Sequence, residues 1–194
     1  MEVLKVEHNR IGQSLLPSFN VKKGEVCGVF ISNDVNVELI ETELIKTVTQ
    51  RKIKNKITIL SPFYEVKDVY RKQSFWDFIT KNNLVRNYVK KQLECDESKV
   101  MDILKKCDIG YDWDMNLYGS TRRILSTLIA MEKNENIIYN TFAIDVKGAR
   151  RLNDVVREKV SQTKGCAIEI NYGFSSESMV PLENYNRVVE IITV

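Results

Sequence analysis

The sequence predicts an α/β domain built on a mostly parallel sheet with helices on both faces. Apolar strand-like runs alternate with helical patterns, and the links between them are short, which is typical of such sheets. Two departures refine this prediction. The N-terminal region carries strand patterns without helices between them, which indicates a small antiparallel part. The helical pattern from about residue 74 to 114 interrupts the alternation, which indicates an inserted helical subdomain.

The predicted strands follow from alternating or continuous apolar runs that end at turn residues. Residues 3–7 alternate like an edge strand, and residues 25–31 form a continuous run typical of a buried strand. In chain order the predicted strands are 3–7, 19–21, 25–31, 57–60, 137–140, 166–170 and 188–192.

The predicted helices follow from apolar residues that recur at three- and four-residue spacing. They cover residues 37–48, 119–131 and 149–162, with an interrupted helical pattern over 74–107. At 194 residues the chain suits one folding unit. We divide it into an N-terminal core part (1–73), the helical subdomain (74–116) and a C-terminal core part (117–194).

Composition favours a soluble globular protein and argues against a nucleic-acid-binding surface. Hydrophobic residues make up 43% of the chain, and 29 Lys and Arg against 26 Asp and Glu leave a net charge of only +3. The four cysteines form no metal-binding spacing, which favours a reducing, cytoplasmic compartment. We find neither a signal peptide nor an apolar run long enough to span a membrane, so we expect any membrane contact to be made through a partner.

The segment after the strand at 25–31 lacks the parts of a phosphate-binding loop. Such a loop places glycine N–H groups around a phosphate, a Lys on the β- and γ-phosphates, and a Ser or Thr hydroxyl on magnesium. Residues 31–39 contain no Gly, Lys or Thr, and Glu38 stands where the hydroxyl is needed. With His8 as the only histidine, the chain cannot build a Ser–His–Asp, Cys–His or histidine metal cluster by itself.

Several segments, in order and spacing, resemble the ATPase subunit of an ABC transporter, above all the compact bacterial drug- and peptide-export type. Residues 19–28 (FNVKKGEVCG) match the lead-in to the family's phosphate loop, and residues 117–123 (LYGSTRR) resemble the signature LSGGxxxR. Residues 74–79, 143–145 and 186–189 resemble the start of the helical subdomain, the D-loop and the closing strand. The resemblance covers nearly the whole chain and implies a P-loop NTPase fold.

The resemblance also implies that the nucleotide-binding motifs are degenerate. The Walker A loop would end at Asn36, Val37, Glu38 and Leu39, with Val37 in place of the Lys, and Glu38 and Leu39 in place of the Ser and Thr. In Walker B, Thr141 would replace the magnesium Asp and Phe142 the catalytic Glu. Asn171 or Tyr172 would replace the switch His. We therefore expect no cofactor and no metal bound by this chain's own loop.

Partner contacts are implied at two places. Gly119, Ser120 and Thr121, in the signature-like segment, and Asp145, in the D-loop-like segment, would contact a partner subunit or its ATP. Three aromatic residues would contact a permease, namely Phe63, Tyr64 and Trp76.

The resulting hypothesis is a catalytically inactive ABC ATPase-like subunit. It would be cytoplasmic, peripheral at the inner face of the cell membrane, and paired with a permease and a paralogous intact ATPase. One alternative is a free-standing regulatory or immunity-type binding protein. Another is a weak, atypical ATP-binding transporter subunit.

Overall fold

The protein is described by a computed structural model that covers residues 1–11, 14–32, 36–49, 56–69 and 83–193. Within these residues it is a mixed α/β fold with two sheets and helices on both faces of the larger one. The predicted fold class is confirmed.

The smaller sheet is antiparallel and contains the N-terminal strand at its centre. Its strands are β1 (Glu2–Val6), β4 (Phe19–Lys22) and β6 (Ile57–Ile59), in the order β4-β1-β6. The prediction of an edge strand at residues 3–7 is therefore wrong. Val3 and Leu4 of β1 are both fully buried, and β1 has a neighbouring strand on each side.

The larger sheet has a parallel core and an antiparallel hairpin at one edge. Its order is β2-β3-β10-β5-β9-β8-β7. The five strands from β10 to β7 run parallel, while β3 pairs antiparallel with β10 and with β2. The strand bounds are β2 (Asn9–Ile11), β3 (Ser14–Leu16), β5 (Val26–Ile31), β7 (Tyr64–Glu65), β8 (Asn136–Asn140), β9 (Cys166–Tyr172) and β10 (Arg187–Thr193).

Five α-helices lie in the described part of the chain. They are α1 (Val37–Thr49), α2 (Val85–Leu93), α3 (Glu97–Cys107), α4 (Gly119–Lys133) and α5 (Val146–Thr163). Asp96 caps α3, since its Oδ1 accepts a hydrogen bond from the backbone N–H of Lys99 at 2.9 Å. None of the described helices is both long and apolar enough to cross a membrane.

The central strand β5 separates two hydrophobic clusters by its alternating side chains. Val26 and Phe30 join the cluster that contains α2 to α5, while Val29 and Ile31 join the cluster that contains α1 and the smaller sheet. The helices α2 and α3 of the predicted helical subdomain thus share a core with α4 and α5. Residues 74–82 of that subdomain lie outside the described residues, and its boundaries stay a prediction.

Candidate functional site

The candidate site is the edge of the larger sheet at which the parallel strands β5, β8 and β9 end. Helix α1 begins beside these carboxyl ends. In open parallel sheets this edge is where ligands bind. The N-terminus of α1 is already capped by the chain itself. Asn36 accepts a hydrogen bond from the backbone N–H of Leu39 at 3.1 Å. Val37 packs partly against the core, whereas Glu38 and Leu39 are exposed.

One carboxylate of α1, that of Glu41, bonds to the ends of both neighbouring strands. Its Oε1 accepts a hydrogen bond from Nδ2 of Asn140 in β8 at 2.7 Å. Its Oε2 accepts one from the hydroxyl of Tyr172 in β9 at 2.5 Å. Burial, the hydrogen bond to Glu41 and its negative charge together raise the pKa of Tyr172. The phenol therefore stays a donor at neutral pH, and α1 is bonded to the sheet across the candidate site.

The two Walker B-like residues occupy different surroundings. Phe142 is 63% exposed, and its ring meets the ring of Tyr172 edge-on at a centroid distance of 5.5 Å. Thr141 is buried, and its hydroxyl donates to Oδ1 of Asn171 at 2.9 Å. Of the two residues considered for the place of the switch His, Tyr172 therefore bonds to α1, and Asn171 bonds to Thr141.

These residues do not fit a magnesium nucleotide. Phosphoryl groups need positive charge around them, but Glu38 and Glu41 add negative charge at the start of α1. A carboxylate about 4 Å from a phosphate oxygen costs roughly 4 kcal/mol at an effective dielectric constant near 20. The nearby cation Arg123 is paired with Asp68, at 3.1 Å between Nε and Oδ1. Among the described residues, no three His, Cys, Asp or Glu side chains lie close enough together to hold a metal ion.

The signature-like segment leads into the first turn of α4, and its residues Tyr118 and Gly119 are exposed. Gly119 has a φ of +52°, a conformation that favours glycine, and a Cβ at this position would meet no atom within 4 Å. Tyr118 is 76% exposed. The guanidinium of Arg122 lies 5.8 Å from the centre of the Tyr118 ring, and its Nε donates to the carbonyl of Leu117 at 2.7 Å. The backbone of Gly119 is therefore accessible.

The D-loop-like and signature-like segments meet at a close helix contact. Asp145 caps α5 by accepting a hydrogen bond from the backbone N–H of Gly148 at 2.6 Å. A Cβ on Gly148 would lie 2.2 Å from the Cβ of Ser120, so only glycine fits there. Ser120, Thr121 and Asp145 thus lie in one region, and their contact with a partner subunit stays a prediction.

The predicted permease-contact residues differ in how far their side chains are buried. Phe63 is only 4% exposed and packs in the core beside α1, so its assignment to a partner surface is corrected: its side chain faces inward from the start of β7. Tyr64 is 47% exposed and lines a groove of about 350 Å³ between β7, α2 and α4. Tyr88, Ile129 and Lys133 also line this groove. Trp76 lies outside the described residues.

Sequence reasoning missed Glu41. The only signal was its position one helical turn after Val37, which places it on the same face of α1. Its partners are 99 and 131 residues further along the chain. Sequence spacing alone therefore could not pair them.

The fold is that of the ATP-binding cassettes of ABC transporters. No protein-family profile and no curated protein sequence matches the chain, so the likeness rests on solved structures at low sequence identity.

Three of these structures cover most of both chains. A protein of Pyrococcus furiosus, described as an ABC transporter ATP-binding protein, has a TM-score of 0.63 and 16% identity over 94% of this chain and 98% of its own. A nucleotide-free cassette from an ABC transporter has a TM-score of 0.59 and 15% identity over 99% and 90%. CbiO1 of Clostridium perfringens, part of the ABC transporter complex CbiONQ, has a TM-score of 0.58 and 14% identity over 98% and 87%.

Proposed function

We propose that this chain is a catalytically inactive, ABC ATPase-like subunit of a membrane transporter. It acts as a structural or regulatory partner of a permease and of an intact, paralogous ATPase. The observation that carries this proposal is the carboxylate of Glu41, which takes the hydrogen bonds of Asn140 and Tyr172 at the candidate site. The side-chain donors of Asn140 and Tyr172 are thereby satisfied within the chain and are not free to bind a ligand phosphate.

Loss of the site's positive charge supports the same proposal. Catalysis of phosphoryl transfer consists almost wholly of positioning and charge neutralisation. Val37 and Thr141 can supply neither a positive charge nor a carboxylate ligand for magnesium. The exposed Phe142 offers no group that could orient an attacking water.

Two surfaces remain suited to partners. The accessible backbone of Gly119 lies at the start of α4, where the aligned N–H groups of a helix favour an anion. In the proposed heterodimer that anion is a phosphate of ATP held by the intact subunit. The groove beside Tyr64 is lined by apolar side chains such as Ile129 together with polar and charged ones, Lys67 and Lys133 among them, so it suits a short amphipathic segment of the permease.

Affinity purification from native membranes tests this partnership. We expect the tagged chain to recover a transmembrane subunit and an intact ATPase. Tyr64→Ala should lower recovery of the transmembrane subunit, because truncating an aromatic anchor removes binding energy. Met101→Ala is the matched control, since Met101 is 48% exposed on α3. Recovery of neither subunit would contradict the proposal and favour a free-standing regulatory or immunity-type protein.

A further inference from the structure

A carboxylate without a cationic partner lies in the middle of the larger sheet. Glu169 of β9 is 0% exposed and accepts three hydrogen bonds. Its Oε2 accepts from the hydroxyl of Tyr139 at 2.6 Å and from Nδ2 of Asn153 at 2.9 Å. Its Oε1 accepts from the hydroxyl of Tyr185 at 2.8 Å. This cluster has no part in the proposed transporter function.

The groups that face Glu169 come from each element packed against it, and none is charged in the described part of the chain. Tyr139 comes from β8, Asn153 from α5, and Tyr185 from the segment before β10. The neighbouring strand β5 places Gly28 opposite Glu169. A Cβ there would lie 3.0 Å from the Tyr185 ring, so glycine leaves the room that lets Tyr185 reach the carboxylate.

Two opposing effects act on the ionisation of Glu169. Burial raises its pKa above the ordinary value, because a charge without water is disfavoured. Hydrogen bonds from Tyr139, Asn153 and Tyr185 oppose that rise, because donors stabilise the anion. The same neighbouring groups can therefore accommodate Glu169 in its ionised form and in its neutral form.

Asn153 supplies what the neutral state requires. It is 0% exposed, and while its Nδ2 donates to Glu169, its buried Oδ1 has no hydrogen-bond partner among the residues that the structure describes. Buried polar atoms are normally paired. Rotating the side-chain amide by about half a turn exchanges the donor and the acceptor, which would place Oδ1 toward the carboxyl group.

We propose that Glu169 and Asn153 form a buried proton switch. In the ionised state the Asn153 amide donates to the carboxylate. In the neutral state Glu169 carries on Oε2 one proton taken up from the solvent, the amide has turned, and its Oδ1 accepts that proton in a hydrogen bond. Tyr139 and Tyr185 remain donors in both states, and no other bond changes.

The switch is connected to the candidate site by side-chain hydrogen bonds. The hydroxyl of Tyr185, which donates to Glu169, accepts from Nδ2 of Asn171 at 3.4 Å. Oδ1 of Asn171 accepts from the hydroxyl of Thr141 at 2.9 Å. Each hydrogen bond in this series is donated in the direction of Glu169. A change of its charge therefore alters the polarisation of Thr141, at the carboxyl end of β8.

Stability measured against pH tests the switch in the intact chain. A raised folded-state pKa means that the folded protein holds the proton more tightly than the unfolded protein. Its contribution is full below the ordinary glutamate pKa and is lost as the pH rises through the raised value. The melting temperature of the wild-type chain should therefore fall as the pH rises through that range. We expect Glu169→Gln, which resembles the neutral acid, to remove this fall. An unchanged slope would overturn the proposal.

Glu132→Gln is the matched control because that glutamate should behave oppositely. Burial would raise the pKa of Glu132, but hydrogen bonds from Lys159 and Lys99, at 2.6 and 2.8 Å, bring it below its ordinary value. Its contribution is present above the ordinary pKa and is lost as the pH falls through the lowered one. We expect this variant to lose stability chiefly at neutral pH and to keep the slope attributed to Glu169.

Nuclear magnetic resonance of the wild-type chain keeps the test valid if Glu169→Gln does not fold. We expect one glutamate carboxyl carbon, that of Glu169, to titrate above the ordinary glutamate value. The side-chain amide signals of Asn153 should shift with the same midpoint, which a purely structural hydrogen bond would not produce. If every glutamate titrates at or below the ordinary value, or if the Asn153 amide does not respond, the switch is wrong.

Discussion

The hydroxyl of Tyr172 donates a hydrogen bond to the carboxylate of Glu41, which joins the end of β9 to the first helix after β5. Asn140 donates to the other oxygen of the same carboxylate. One side chain of α1 thereby holds the ends of two neighbouring parallel strands. The carboxyl-terminal edge of the sheet, where open parallel sheets bind ligands, is therefore held together by hydrogen bonds between its own elements.

Removing this carboxylate should destabilise the fold. Glu41→Ala leaves the donors of Asn140 and Tyr172 without their acceptor, and we expect it to lower the free energy of unfolding by about 1–3 kcal/mol. Alanine favours helix, so propensity adds no cost. Urea unfolding followed by circular dichroism measures the change.

A second substitution on the same helix provides the control. Glu43 pairs with Lys46 at 3.5 Å within one turn, and its side chain is about one third exposed. Loss of this ion pair in Glu43→Ala should cost no more than about 0.5 kcal/mol, so the total loss should be smaller than that of Glu41→Ala. Equal losses for Glu41→Ala and Glu43→Ala would show that the bonds across the candidate site contribute little.

The contact between α4 and α5 should tolerate only glycine at position 148. Gly148→Ala would place a Cβ 2.2 Å from that of Ser120, and we expect this overpacking to cost about 1–3 kcal/mol. Adding Ser120→Gly removes the clashing atom and should recover much of the loss, apart from up to about 1 kcal/mol of helix propensity. Thermal unfolding of the single and double variants provides the comparison, and strictly additive losses would contradict the contact.

The sequence predicted the regular core better than the site. Strand β5 was predictable from its continuous apolar run, and helices α1 and α4 from apolar residues that recur at helical spacing. The hairpin β2–β3 and the two-residue strand β7 were missed because segments this short carry no measurable period. The inward direction of Phe63 follows from β7 pairing with β8, which periodicity cannot supply.

The polar features of the structure depend on distant pairing. The caps Asp96 and Asp145 act within three residues, and local sequence rules can find such caps. Glu41 and Glu169 instead bond across strands and helices. Predicting their roles would have required knowledge of the register of the parallel strands.

The signature-like turn gives a prediction for the assembled complex. Gly119→Gln should lower the partner's ATPase rate, because the new side chain would lie between the backbone of α4 and the partner's nucleotide. The positive φ adds a strain of about 1 kcal/mol. Gly119→Asn is the control for that strain, since Asn tolerates this conformation better. An unchanged ATPase rate in the complex with Gly119→Gln would mean that this segment does not serve the partner's site.

Removal of Glu41 also provides a control for nucleotide binding. Glu41→Ala takes away the internal acceptor at the candidate site but restores neither the Lys nor the magnesium ligands. We therefore expect this variant, like the wild-type chain, to bind no magnesium ATP by calorimetry. Binding gained by the variant alone would identify Glu41 as the main barrier and would reduce the importance assigned to Val37 and Thr141.

Calorimetric titration of magnesium ATP into the purified wild-type chain is the sharpest test of whether the protein binds nucleotide. We expect heats no larger than those of dilution, because residues 31–39 contain no Lys and Glu41 takes the hydrogen bonds of Asn140 and Tyr172. A saturable isotherm with one site per chain and a micromolar dissociation constant would contradict this expectation, and the protein would then be a weak, atypical ATP-binding subunit.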